Sequence, residues 1–313
     1  MNFLRPFSVL LAALALTASL PASAAERIPV VASFSILGDI VANVGGDRIA
    51  VTTLVGPDED AHVFQPAPDD IKAVSRARLV VVNGLGFEGW IERLAQSANY
   101  RGAIVTASAG ISARERAGDD DHDEHDHHDH DAHSHHGKDD PHAWQDPQNV
   151  IVYTRNIAAA LARLDPAGAD TYRKNGEAYV GKLQELDRWA IQQFAQIPDA
   201  KRRVITSHDA FEYFGAHYKV RFLAAQGVST DSEPSAKEVA ALIRQIRTQK
   251  IKALFFENMS NPKLLQQIAR EAGVTPGGKL YADALSRPGG PAPDYLALMR
   301  YNIGQLLDKI RLN

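Results

Sequence analysis

Apolar and polar positions along this chain fall into two alternating series. The stretch RIPVVASFS at 27–35 is rich in β-branched residues, as a buried strand requires, and ILGDIVANVGG behind it shifts to helical spacing and stops at a glycine pair. The exchange repeats: RIAVTTLV, RLVVVNG and GAIVTAS read as strands, APDDIKAVSRA and FEGWIERLAQSA as helices. Pro68, Asp69 and Asp70 supply the proline and acids expected in a first helical turn. From about Ser112 to Lys138 the periodicity vanishes. Helical spacing returns from Pro147 to about Leu164, and again over about 167–197. There some thirty residues at 1.5 Å each would span about 45 Å, more than a small lobe uses for its own packing. A second series follows, with KRRVITSH, VRFLAAQ, IKALFFEN and GGKLYAD as strands and DAFEYFGAHY, SAKEVAALIRQIRTQ, PKLLQQIAREAG and PDYLALMRYNIGQLLDKIR as helices. Such alternation predicts an α/β fold of two lobes, each a central mostly parallel sheet flanked by helices. The expected division is 25–166 and 199–313, joined by one long rigid helix at 167–198.

The first 24 residues alter the picture of where this fold works. MNFLRPFSVLLAALALTASLPASA carries Arg5, an apolar run from about Phe7 to Leu16, and the triplet Ala22-Ser23-Ala24, the layout of a secretory signal peptide cut near Ala24. The run is shorter than the roughly 20 residues of a membrane span. The expected product is a soluble periplasmic protein. With no cysteine in the chain, disulfides, a cysteine-linked lipid anchor and thiolate ligands are not expected, so a transition-metal site would be built from His, Asp and Glu. The formal charge of −4 is concentrated in one place. Setting aside Arg5 and the eight acids of 119–136 leaves 33 basic against 30 acidic residues. Nothing in that balance suggests a nucleic-acid surface.

Chemistry enters through the histidines. Eight of the twelve, His122, His125, His127, His128, His130, His133, His135 and His136, share the run DDDHDEHDHHDHDAHSHH with eight acids, inside a polar segment at 113–138 expected to be a mobile loop. The other four are dispersed. His62 follows one predicted strand and His208 ends another, the position where ligands gather in open α/β sheets. His142 sits between prolines in DPHAWQDP, and Asp283 ends a third strand in KLYAD. Three imidazoles and a carboxylate can complete a tetrahedral shell. Spacing alone does not bring them together, since a histidine after a strand serves as a cap or core residue as well. His217, inside an amphipathic helix, reads as a surface or packed residue.

The segments DAHVFQP, DPHAWQDP, SHDAFEYF and YADALS, in this order and with a long helix between the second and third, closely resemble the metal-binding segments of periplasmic zinc-binding proteins that serve ABC importers, the metal solute-binding family of ZnuA/AztC type. The resemblance extends over essentially the whole mature chain. It implies that His62, His142, His208 and Asp283 are the metal ligands, in a cleft between two lobes joined by a single helix. It also favours zinc, because the manganese-binding branch typically has a carboxylate where His208 stands, and imidazole suits zinc. The chain departs from many zinc-binding relatives in lacking a second-lobe disulfide. Some relatives replace the aspartate, so Asp60 and Glu59 are alternative ligands or supporting groups. Glu257 is read as orienting a ligand or as a structural hydrogen-bonding group, and Trp144 and Phe64 as water shields or core packing.

The expected function is capture of Zn(II) and delivery to an ABC permease transmembrane subunit by a monomer, with a periplasmic zinc metallochaperone as a candidate further partner. A zinc buffer or metallochaperone, and the same transport role for manganese, are the alternatives. A zinc hydrolase is disfavoured: a fourth protein ligand closes the coordination position that catalysis needs, and no H-E-x-x-H or G-x-S-x-G motif is present. The histidine-rich run would act as a tethered, weakly selective collector, because ordering a flexible chain costs roughly 1 to 2 kcal/mol per residue. Glycines and prolines in SRPGGPAPD, just after Asp283, point to that ligand as the one that moves on release.

Overall fold

A computed structural model describes residues 26–115 and 139–313. The expected signal peptide and the run at 119–136 lie outside the described residues. The first series forms β1 (Ile28–Phe34), α1 (Ser35–Gly45), β2 (Ile49–Val55), α2 (Pro68–Arg76), β3 (Leu79–Val82), α3 (Ile91–Ser97) and β4 (Ala103–Thr106). The four strands make one parallel sheet in the order β2-β1-β3-β4. Its central strands β1 and β3 are buried nearly throughout, which is why they read as continuous apolar runs. Helix α3 begins later than the pattern FEGWIERLAQSA suggested. The chain first turns through left-handed backbone at Gly84, Leu85 and Gly86, and the Glu88 carboxylate accepts the Asn83 and Gly84 N–H groups, so helical geometry is reached only at Ile91.

Helix α4 (Pro147–Leu164) starts where expected, with Asp146 as its cap accepting the Gln148 N–H at 2.8 Å and proline in the first position. Helix α5 (Ala169–Ala195) is the long joining helix. It lies along α4, and the two approach closely at Gly176, where a Cβ would stand 3.4 Å from that of Ala158. The second lobe supplies β5 (Arg203–Thr206), α6 (Glu212–Tyr218), β6 (Arg221–Ala224), α7 (Ala236–Gln249), β7 (Phe256–Glu257), α8 (Lys263–Ala272), β8 (Lys279–Leu280) and α9 (Tyr295–Ile310). Its strands are short parallel pairs, β5 with β6 and β7 with β8. Hydrogen bonds from Ile205 to Ala253 and from Phe255 to Ile205 link them, so the chain order across this lobe, β6-β5-β7-β8, repeats that of the first.

One apolar core runs from Val30 and Phe34 in the first sheet through Leu183 and Leu186 of α5 to Tyr295 and Leu306 of α9. A second lies between α7 and α8, around Ile246 and Ile268. The joining helix is therefore packed by both lobes. Among the described residues no helix is long and apolar enough to cross a membrane.

His217 is packed, and its partners join three helices. Its Nε2 meets Asp187 of α5 at 2.7 Å and its Nδ1 faces the α4 cap Asp146 at 3.5 Å. The Asp187 hydrogen bond, opposed by partial burial, raises the His217 pKa above its ordinary value. A raised pKa gives stability that is complete below about pH 6.5 and is lost as pH rises through the raised value. His217→Ala is expected to lower the melting temperature by about 5 °C at pH 6 and by clearly less at pH 9. Equal losses at both pH values would refute a charged role.

The two ends of the undescribed segment meet. Glu115 and Asp139 form an antiparallel bridge, and Asp140 N–H donates to Arg114 O at 2.7 Å. Tyr213 of α6 seals this neck from the other lobe, its hydroxyl accepting the Arg114 N–H at 3.0 Å and donating to Asp140 O at 2.9 Å.

Candidate metal centre

The loops at the carboxyl ends of the strands converge between the lobes. His62 comes from the loop after β2 and His142 from the turn before α4. His208 follows β5 and Asp283 follows β8. One ligand atom from each lies within 4.8 Å of the others, with the four side chains nearly or wholly buried. The Nε2 atoms of His62 and His142 are 3.3 Å apart. Asp283 Oδ2 stands 3.4 Å from His62 Nε2 and 3.0 Å from His208 Nε2, and Oδ1 stands 3.6 Å from His142 Nε2. A tetrahedron with bonds of 2.0–2.1 Å has edges of about 3.3 Å. Both Asp283 oxygens and His208 Nε2 are buried yet find no hydrogen-bond partner among the described residues. Buried polar atoms are rarely left so, and a cation among them would satisfy all three.

The electrostatics oppose one another. Burial alone would neutralise His208, but the Glu257 and Asp283 carboxylates override it and hold its pKa well above the usual imidazole value. Burial would likewise raise Asp283, yet His208 and His142 hold it well below the carboxylate range. His62 goes the other way, lowered by burial more than Asp283 raises it.

Two carboxylates aim the deep imidazoles. Glu257 receives His208 Nδ1 through one oxygen and the Ser207 and His208 N–H groups, at 2.9 and 3.1 Å, through the other. Asp140 Oδ1 takes both His142 Nδ1, at 2.7 Å, and His142 N–H, at 2.9 Å. With Nδ1 held, Nε2 turns inward. The orienting position of Glu257 agrees with one of its two readings. Asp140 was missed in the sequence, although a signal existed: Asp140-Pro-His142 repeats the Asp60-Ala-His62 spacing, and in both the aspartate accepts the N–H of the histidine two residues on.

Asp60 supports His62 in this way rather than joining the four. Glu59 does neither; its carboxylate accepts the Gly56 N–H at 2.7 Å and closes the turn at Asp58, whose φ is +61°. The fully buried Trp144 packs edge-on to His142, with centroids 5.2 Å apart. Phe64 packs on Trp90 instead, and the ring against His62 is Phe87, 5.0 Å away. Asp283 is not loosely held: the carbonyl before it, Ala282 O, accepts from Trp144 Nε1 at 2.9 Å and Gln145 Nε2 at 2.8 Å. These two bonds from the first lobe override the looseness that the following glycines and prolines suggested. The eight histidines of the run lie outside the described residues.

Two α/β lobes meeting at a buried pocket of unpartnered donor atoms are the architecture of a binding protein. The family described as "zinc-uptake complex component A periplasmic" matches residues 30–309. The chain is 32% identical over 299 residues to the iron-binding protein YfeA of Yersinia pestis, covering 95% of this chain and 91% of that one. It is 32% identical over 278 residues to the manganese-binding lipoprotein MntA of Halalkalibacterium halodurans, covering 89% and 87%. A manganese-bound periplasmic metal-binding protein from Candidatus Liberibacter asiaticus superposes with a TM-score of 0.77 at 30% identity, covering 91% of this chain and all of that one. This chain belongs to that family of metal-binding ABC-transporter substrate-binding proteins, whose members are not enzymes.

Proposed function

We propose that the protein captures Zn(II) as cargo in the cleft between its lobes, with His62, His142, His208 and Asp283 as ligands, and delivers it in the periplasm to the transmembrane subunit of an ABC permease. The observation that carries this reading is the donor set itself, three imidazoles and one carboxylate whose ligand atoms all lie within 4.8 Å of one another, with His62–His142 at 3.3 Å and His208–Asp283 at 3.0 Å near a tetrahedral edge. Imidazole suits zinc, whereas manganese favours carboxylate and water oxygens in larger shells. Glu257 and Asp140 pre-aim two of the imidazoles, Trp144 and Phe87 keep water from the deep side, and a bound dication would offset the buried Asp283 charge.

The run at 119–136 serves as a tethered collector. Its neck opens three residues before His142, so cargo held there is at high effective concentration near the cleft. Lobes at 25–166 and 199–313, joined by 167–198, form the working unit, which acts as a monomer after removal of 1–24. A periplasmic zinc metallochaperone is a candidate donor.

The test is a titration of the full chain, and of one lacking 119–136, with zinc in the presence of excess manganese. One tight zinc per chain is expected in both, with several weak sites lost on deletion and slower capture from a competing chelator. Manganese displacing zinc from the tight site would overturn the metal choice. Many equivalent weak sites with no tight one would describe a buffer instead.

A further inference from the structure

Three of the four converging side chains are sealed. His142, His208 and Asp283 expose no side-chain surface, while His62 keeps 6%. A path between solvent and the pocket therefore passes His62, and what holds His62 governs that path.

Its backbone is held by Asp60, whose Oδ1 accepts the His62 N–H at 2.9 Å. Asp140 holds His142 the same way, but the bonds of its carboxylate go to that one histidine, within the first lobe. Asp60 reaches further. Its Oδ2 accepts the hydroxyl of Thr230 at 2.7 Å, from a residue 170 positions on, in the second lobe. Both residues line a groove of about 530 Å³ that also includes Gln226, Met259 and Val63, and Val63 is 49% exposed. The other cross-lobe bonds of this loop lie at its far end: Asp58 N–H donates to Leu285 O, and Asn258 Nδ2 to Asp58 Oδ1, each at 3.0 Å. The loop is thus tied to the second lobe at residue 58 and again at residue 60, and to its own lobe at Ala61, whose carbonyl accepts from Trp90 Nε1 at 3.0 Å; of the two cross-lobe ties, the second adjoins His62 at the groove.

We propose that the Asp60–Thr230 hydrogen bond is a latch across the mouth of the cleft, with Thr230 a positioning residue that restrains His62 through Asp60 and sets the rate at which cargo leaves. This rests on the zinc-capture reading of the site. A hydroxyl donating to a carboxylate is among the stronger hydrogen bonds, and its loss leaves an acceptor facing the groove without its donor. With the latch open, His62 is restrained from the first lobe alone, through the Trp90 bond to Ala61 O, while Asp283, pinned through Ala282 O, stays in place. His62 is then the ligand that departs first.

The test is stopped-flow release of zinc from the full-length chain into excess chelator. Thr230→Val keeps the shape and removes the donor; its release rate is expected to rise about tenfold with one tight zinc per chain retained. Thr230→Ser, which restores the hydroxyl, should return the rate to within about twofold of the unaltered protein. A merely structural role for the threonine would not be rescued in this way. Release from Thr230→Val within about twofold of the unaltered rate, or a serine variant as fast as the valine one, overturns the latch while leaving the capture reading standing. Absence of tight zinc in the unaltered chain overturns both.

Discussion

Replacing His208 by alanine is expected to lower zinc affinity on the order of a thousandfold. The substitution removes one of four donors and leaves Glu257 and Asp283 facing each other as buried carboxylates with nothing between them. Breaking a buried charge pair by removing one partner costs about 3–5 kcal/mol, which is where the magnitude comes from. His142→Ala should fall in the same range, since its ring is equally sealed and tied to Asp140. Chelator competition measures the loss, and the melting temperature of the metal-free variants separates it from unfolding. Zinc should raise the melting temperature of the unaltered protein and leave that of either variant nearly unmoved at the same concentration. Affinity within tenfold of the unaltered value for both variants would remove these residues from the ligand set.

Zinc binding is expected to expel about one proton per site at pH 7, and the proton comes from His208. Of the groups that meet there, Asp283 is held ionised and His62 is kept neutral, while Glu257 and Asp283 together keep His208 charged above its ordinary range. A ligand must be neutral to bind, so affinity should climb about tenfold per pH unit from about pH 6.5 up through the raised His208 value, then level off. Below the ordinary imidazole range the fall steepens as His62, whose pKa burial lowers, protonates in its turn. The dependence therefore extends to higher pH than free imidazoles would give. Calorimetry in buffers of different ionisation enthalpy counts the proton. Glu257→Gln removes one of the two charges responsible, so it should release less proton at pH 7 and also bind about 10- to 100-fold more weakly through loss of aim. Proton release that is absent at pH 7, or unchanged in Glu257→Gln, would defeat this account.

Much of the site could be read from the chain because its members stand at strand ends. His208 and Asp283 each close a run whose apolar pattern announces a strand, His62 lies in the loop that follows another, and the prolines around His142 announce a rigid turn. What spacing alone did not carry was their meeting, which depends on both lobes facing one cleft. The partnership of Glu257 with His208 depends on Ile205 lying against Ala253–Phe255, a long-range pairing with no local signature. Asp140 looked like a turn residue, and only the repeated Asp-x-His spacing marks its role. Local composition misled where tertiary bonds intervene: SRPGGPAPD reads as loose, yet Trp144 and Gln145 clamp the carbonyl before Asp283. FEGWIERL reads as helix throughout, yet Glu88 spends its carboxylate on the turn ahead of it.

The neck formed by Glu115 and Asp139 fixes both points at which the chain leaves and rejoins the first lobe. A chain that leaves and re-enters the fold at one bridged point imposes a closure cost that grows only by about 0.6 kcal/mol for each doubling of its length. The frame, sealed by Tyr213 from the opposite lobe, bears that cost alike for a short insert or a long one. Lengthening or shortening the chain between Glu115 and Asp139 is therefore expected to leave the spacing of the pocket beside it unchanged.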